Sequence, residues 1–530
     1  MKNLVPENNF IEKDKSSIFT VQEWMLIGGL IISKLLLHLL TSTNYELQRD
    51  AYLYLAEGRH LAFGYVSVPP LTPWLGRLSG IIFGYSTFAV RLLPAFTGGA
   101  SVFIIALIVK NLGGRIWAIL LAATAFILSV AFLRSNTLFQ PVTFNQFFWL
   151  LSSYFMIKLL QSKDPKYWLH LQITFGVAFL NKYSVAFLAL AFYLSLFLSP
   201  QRKLYLSKYF VWGSVAGFLL AVPNLIWQYT HNWPVVTHMV ELQRTQLVHV
   251  HLPDFLVSQL VMNAHAIFLW GFGLLLILFF KPEKNLRALG YTFVGVILLL
   301  IIFRGKHYYS LGIYPALFAA GGVAFERYFV RRLAFLKPLQ MAIMILVTIP
   351  FIPYSLPVLP LDKMAAYSQA TAKHSLEMTL RWEDGKIHKL PQDYADMTGW
   401  RELSNIVIDT YHNLPDSAKQ LCGIYCGNYG EAGAISYYGR HLNLPEPVSF
   451  NDNYLLWAPD SLHNITTLIY VDDDTSDVSH FFEHVQKVGE VDNPYFRENG
   501  LPVYLCEGPR NGFGRFYKTT VAKLKQRYRR

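Results

Sequence analysis

Long apolar runs separated by short polar or basic segments dominate the first two thirds of the chain. A helix needs about 20 apolar residues to cross the hydrocarbon core of a bilayer, so runs near that length, bounded by charge, predict spans. They lie at 23–40, 87–109, 116–133, 142–160, 209–229, 255–280, 290–303, 308–325 and 338–356. The run 168–199 is too long for one span. Asn181-Lys182-Tyr183 interrupts it, which predicts two short helices meeting at a membrane face. About eleven spans result.

After residue 360 the apolar runs shorten to strand length and charge returns. LCGIYCG and TTLIYVDDD read as short buried strands, and YGEAGAISYYG and DVSHFFEHVQKV as helices, an alternation that predicts a small α/β layer. The fold class is therefore a polytopic α-helical membrane protein, residues 1–358, followed by a soluble α/β domain, residues 359–530. The closing KLKQRYRR reads as a solvated basic end or, alternatively, as a contact for anionic head groups.

Composition agrees with the pattern: 53% of the 530 residues are hydrophobic and only 15% charged, too apolar for an ordinary soluble enzyme. The net charge of +12 would suit a nucleic-acid partner, but the basic residues collect in alternate short loops. These loops hold Lys110 and Arg115, then Lys158, Lys163 and Lys166, then Arg202, Lys203 and Lys208, then Lys281, Lys284 and Arg287, then Arg327, Arg331, Arg332 and Lys337. Such a bias orients a membrane protein, so the charge is read as topology and no nucleic acid is expected. It places the N-terminus in the cytoplasm and the loop 44–74 outside. An odd number of spans puts the soluble domain outside too, on a chain integral to the inner membrane. Residues 1–20 are charged and polar, without a cleavable signal, so the first span is expected to stay as an anchor. Of the cysteines, Cys506 is free to pair with Cys422 or Cys426, or all three are unpaired.

The loop 44–74, NYELQRDAYLYLAEGRHLAFGYVSVPPLTPW, is too amphipathic to cross a bilayer and too apolar to leave it. Read as one interfacial helix, LQRDAYLYLAEGRHLA would set Glu46, Asp50 and Glu57 near one polar face, where Asp50 could serve as a general base. The plain alternative is a polar surface with an Arg49–Asp50 pair. Pro69, Pro70 and Pro73 then turn the chain back toward the membrane. On the same side, Arg304, Lys306, His307, Tyr308 and Tyr309 gather cations and phenols between two spans, and Lys182 adds a cation at its helix junction. Such a cluster suits a lipid phosphate; snorkelling residues in an aromatic belt are the alternative. His231, His238, His249 and His251 match no zinc spacing, and nucleotide loops and nucleophile elbows are absent, so no metal or cofactor is assigned.

RDAYLYLAEGRHLAFGYVSVPPL (49–71) resembles the first outer loop of bacterial relatives of the protein O-mannosyltransferases and of lipid A aminoarabinose transferase, which are GT-C glycosyltransferases. FQPVTFNQFFWLL (139–151), FLNKYSVAF (179–187), GKHYYSLGIYPALFAAG (305–321) and GNYGEAGAISYYG (427–439) extend the resemblance over most of the chain. It implies a GT-C fold and a polyprenyl-phosphate-sugar donor. It also implies inverting transfer to a hydroxyl of a protein, lipid or glycan, with Asp50 as the base. Relatives carry an Asp-Glu pair where this chain has Asp50-Ala51, and some have a lysine where it has Val68, so Lys306 and Lys182, with His307 and Arg304, are the candidate phosphate ligands. Arg49, Glu46, Glu57, Tyr308 and Tyr309 would support them, and Gln140 and Asn145 are the nearest polar residues of the second outer loop. A multi-span transporter or flippase for lipid or lipid-linked sugar is the rival reading. It would favour internal repeats and polar groups at mid-membrane, whereas here the polar groups collect at one face.

Overall fold

The computed structural model of the protein describes residues 18–373, 377–462 and 464–529. Most of the segment 1–20, on which the absence of a cleavable signal rests, lies outside them.

Among the described residues, sixteen α-helices of six residues or more build the membrane module. The first eight are α1 (Val21–Leu39), α2 (Arg49–Arg59), α3 (Leu71–Phe83), α4 (Thr87–Asn111), α5 (Ile116–Leu128), α6 (Val130–Ser135), α7 (Pro141–Ser162) and α8 (Tyr167–Phe179). They are followed by α9 (Val185–Phe197), α10 (Lys208–Thr230), α11 (Pro234–Thr245), α12 (Leu252–Val261), α13 (Ile267–Phe279), α14 (Arg287–Ile302), α15 (Tyr314–Tyr328) and α16 (Leu336–Thr348). Local chemistry sets several starts: a Thr20/Glu23 capping box opens α1, the Ser86 side chain caps α4, and Pro141 opens α7. Many helices expose apolar side chains; α10 shows Val211, Trp212, Phe218, Leu219 and Ile226, a face that lipid would cover.

Six helical stretches among the described residues are long and apolar enough to cross a membrane, and α12 and α13 pass as a seventh if their pair, bent by 60°, is one span. The expectation of about eleven spans also counted shorter helices such as α5 and α9. The division of 168–199 into α8 and α9 is present as expected. Two expected straight spans are broken instead. The stretch 116–133 stops at Ser129, whose backbone is extended, and 255–280 breaks at Asn263. The breaks meet, for the Ser129 hydroxyl donates to Asn263 Oδ1 at 2.9 Å with both residues fully buried. Each polar interruption thus finds its partner in the other.

The soluble domain holds a four-stranded sheet in the order β1-β2-β4-β3: β1 (Cys422–Cys426), β2 (Thr467–Val471), β3 (Phe482–Glu490) and β4 (Pro502–Pro509). β1 runs parallel to β2, while β4 runs antiparallel to both β2 and β3. All of β2 is buried because Ile469 and Val471 face one apolar layer with Trp400 and Ala432, and Leu468 and Tyr470 face another with Phe482 and Phe513. Both expected strands and the helix Tyr429–Tyr438 are present. DVSHFFEHVQKV, expected to be a helix, is a 3₁₀ turn leading into edge strand β3. Its apolar spacing imitates a helix, but β4 supplies a pairing edge, and the strand anchors Phe482 inside and leaves most other positions in solvent. The three cysteines are free: Cys422 and Cys426 face the first layer and Cys506 the second, on opposite sides of the sheet.

One end of the bundle meets this domain. The Tyr45 hydroxyl donates to the Leu359 carbonyl, Arg134 pairs with Asp393, and Asn232 donates to the Arg527 carbonyl. The basic end is accordingly docked rather than simply solvated, with Lys525 buried and donating to Asp460 at 2.9 Å.

Candidate active site

The helix of the loop after α1 is enclosed by protein. Residues Ala51–Gly58 of α2 are buried on every side, packed with Phe139 and Phe144 of the membrane module and with Trp400, Ala432 and Ile435 of the soluble domain. Apolar residues around most of its circumference explain this: a helix without a polar face is buried between layers. The expected common face of Glu46, Asp50 and Glu57 is not formed either. The Gln48 side chain caps α2 by accepting from Asp50 N at 2.8 Å, so the helix begins at Arg49 and leaves Glu46 in the extended approach.

Three segments hold Asp50. The Tyr429 hydroxyl donates to Oδ1 at 2.8 Å, Gln140 Nε2 donates to Oδ2 at 3.3 Å, and Arg49 Nε lies 3.6 Å from Oδ1. Gln140 also reaches Gln48 Oε1 at 3.0 Å, fixing cap and acid together. The Asp50 side chain is 27% exposed, so it is fastened yet open to a substrate. Arg49 Nη2 donates to the Tyr429 oxygen at 2.6 Å, with its guanidinium 4.8 Å from the ring centre. Burial, then the Asp50 charge, push the Tyr429 phenol well above its usual range, against the pull of Arg49, so the phenol keeps its proton.

The expected cations converge on one aromatic pair. Lys182 Nζ lies 4.8 Å from the Tyr309 ring centre and 5.8 Å from that of Tyr308, and Lys306 Nζ lies 6.0 Å from Tyr308. The proline turn does more than redirect the chain. Leu71 N donates to the Leu180 carbonyl at 2.8 Å and the Thr72 hydroxyl to Asn181 Oδ1 at 2.9 Å, which fixes the junction beside Lys182. Burial, then Lys306, lower the Lys182 ammonium to about 8, opposed by Asp50, which is thus within electrostatic range. Lys306 is already partnered, donating at 2.6 Å to both Gln246 and Glu383. The His307 ring stands edge-on to Tyr308 at 5.7 Å. Arg304 is not drawn into the group: it sits exposed just beyond α14 with φ 50, serving as a left-handed helix end.

The two supporting carboxyls lie apart. Glu46 accepts from Arg401 N at 3.1 Å in the first turn of Trp400–His412, and burial foremost raises its pKa. Glu57 is fully buried and accepts from Asn453; burial, then Asp452, push its carboxyl well above the usual range. Tyr429, Gln48, Glu383, Gln246 and Asp452, whose charge helps raise the Glu57 carboxyl, were not anticipated from sequence. Tyr429 stood in a quoted motif without an assigned role, and Asp452, with φ 51, lies in an Asn-Asp-Asn stretch that reads as an ordinary turn.

Residues 67–227 match the family model of the dolichyl-phosphate-mannose-protein mannosyltransferases. The match includes Lys182 and excludes Asp50 and Lys306. Comparison with curated proteins gives no match. Among solved structures, ArnT from Cupriavidus metallidurans bound to undecaprenyl phosphate aligns over 92% of this chain and 98% of its own, at TM-score 0.62 and 14% identity. The same protein in the apo state aligns over 91% and 98%, at TM-score 0.58 and 14% identity. A mutant of the arabinofuranosyltransferase AftD from Mycobacteria aligns over 94% of this chain and 42% of its own, at TM-score 0.50 and 14% identity. The resemblance expected from the sequence is borne out to this extent: residues 67–227 are similar to the mannosyltransferase family model, and nearly the whole chain has the fold of ArnT.

Proposed function

We propose that this protein transfers a sugar from a polyprenyl-phosphate-linked donor to an acceptor hydroxyl, with inversion and with Asp50 as general base. The observation that carries the reading is an open carboxylate, Asp50, held by Tyr429 and Gln140 within electrostatic range of Lys182, which shares an aromatic pair with Lys306. ArnT, whose fold this chain shares, has been solved with undecaprenyl phosphate bound. The module 1–358 would sit in the inner membrane with its N-terminus in the cytoplasm, and the domain 359–530 would lie outside. The gathering of the expected outer loops against that domain supports this arrangement.

The acceptor hydroxyl gives its proton to Asp50 while its oxygen bonds the anomeric carbon from the face opposite the phosphate. The carbon–oxygen bond to the phosphate breaks, and Lys306 and Lys182 hold the charge that the leaving phosphate acquires. A phosphate is a good leaving group, so orientation and charge stabilisation supply most of the acceleration.

Asp50→Asn keeps the shape and removes the base. Transfer should fall by about 10²–10⁴-fold, while undecaprenyl phosphate binding and thermal unfolding are retained. Mass analysis of lipid extracts should then show a polyprenyl-phosphate sugar accumulating in cells that carry only the variant. Unchanged glycolipid and envelope glycan profiles in those cells would refute the assignment.

A further inference from the structure

The helix Tyr429–Tyr438 carries GNYGEAGAISYYG, a segment for which the proposed reaction has no use so far. Asn428 and Glu431 form a capping box that fixes its first turn. Two glycines let it approach α2 closely. A Cβ on Gly430 would lie 2.7 Å from Arg49 Cγ, and one on Gly433 would lie 2.8 Å from Tyr52 Cβ and 3.1 Å from its backbone carbon. The helix therefore delivers its first residue, Tyr429, onto Asp50 from 379 positions away in the chain.

The direction of the hydrogen bonds is set by chemistry. Arg49 has donors only, so the contact at 2.6 Å fills a lone pair of the phenol, and the single phenolic proton goes to Asp50 Oδ1 at 2.8 Å. Among the described residues, Oδ2 has only the longer Gln140 contact, at 3.3 Å.

We propose that Tyr429 is a positioning residue of the transfer reaction: it holds Oδ1 of Asp50 so that Oδ2 meets the acceptor hydroxyl, and it makes the soluble domain part of the reaction centre. This rests on Asp50 being the base. The ordering Arg49 to Tyr429 to Asp50 restricts the carboxylate to one rotamer, and a base off by about 1 Å loses much of its effect. A tyrosine that merely glued the two modules together would act on stability and on every substrate equally.

The test uses full-length protein in lipid nanodiscs, with the polyprenyl-phosphate sugar isolated from Asp50→Asn cells as donor and membranes of cells deleted for this protein as acceptor. Tyr429→Phe should lower kcat by roughly ten- to a hundredfold, with donor KM and the unfolding temperature unchanged. Placed on Asp50→Asn, the same substitution should cause no further loss, because it acts only through the missing carboxylate. A wild-type kcat, a raised KM with normal kcat, or an equal fold-loss in both backgrounds overturns the proposal. An active Asp50→Asn protein overturns the base assignment and this inference with it. An inactive Asp50→Asn beside a fully active Tyr429→Phe overturns this inference alone.

Discussion

If Lys306 receives the donor phosphate, Glu383 is its competitor, and Glu383→Gln should tighten donor binding. Lys306 Nζ gives two of its three protons away, one to Gln246 Oε1 and one to Glu383 Oε1, both at 2.6 Å. Although burial works against it, Lys306 holds the Glu383 carboxyl below its usual range, so the partner is charged at neutral pH. A phosphate must share the ammonium with that carboxylate or displace it. The lysine side chain is 15% exposed but Glu383 is 44% exposed, so solvent screens the pair, and its worth is about 0.2–1 kcal/mol. Glutamine keeps the acceptor oxygen and removes the charge. The dissociation constant for undecaprenyl phosphate should therefore fall by at most about fivefold, the equivalent of about 1 kcal/mol. Intrinsic fluorescence titration of the full-length protein in nanodiscs would read this at low and high salt, and the gain should shrink as screening rises. In a Lys306→Ala background the gain should vanish. Weaker binding in Glu383→Gln, or the same gain without Lys306, would show that the phosphate does not meet this ammonium.

Two further outcomes follow from the charge states at the site. Lys182, lowered to about 8 by burial and Lys306, is charged below that pH and loses its proton as pH rises through it. Undecaprenyl phosphate binding should thus be about tenfold weaker near pH 9 than at neutral pH, and Lys182→Arg should flatten the profile; an arginine variant with the wild-type slope would remove Lys182 from the phosphate site. Glu57, whose carboxyl burial and Asp452 push toward the neutral form, should tolerate glutamine within about 0.5 kcal/mol. Alanine there strips a buried acceptor from Asn453 and should destabilise by about 1–3 kcal/mol. Thermal unfolding compares the two, and a glutamine variant as unstable as the alanine one would mean that Glu57 is ionised.

Features decided by neighbouring residues were legible in the chain. Run length and flanking charge suffice for α1, α4 and α10, and a strand apolar at every position after its first threonine, β2, declares itself as buried on both faces. Features decided across the fold were not. Ser129 and Asn263 look like isolated polar residues in apolar runs until they bond each other 134 positions apart. The spacing that suggested a helix over 477–488 is equally that of an edge strand, and the pairing edge of β4 selects between them. Asp50, Lys182, Lys306, Tyr308 and Tyr309 could be singled out because a charge or phenol beside an apolar run needs a reason. Tyr429 offered no such contrast, being one tyrosine of a soluble segment. Glu46 and Glu57 satisfied helical spacing, but the Gln48 cap starts the helix too late for one and the soluble domain buries the other.

The position after Asp50 shows why this site takes the form it does. Ala51 is 1% exposed and packs in the apolar layer shared by α2 and the soluble domain. A glutamate there would place a charge in that layer, a strongly unfavourable arrangement without a partner. An alanine at this position suits the deep burial of helix α2. What such an acid would have contributed to orientation is met by neutral donors, Tyr429 from the soluble domain and Gln140 from the start of α7, with Arg49 behind them. A carboxylate held by donors from three segments is set only when the membrane module and the C-terminal domain are seated together, which couples the assembly of the two halves to the geometry of Asp50.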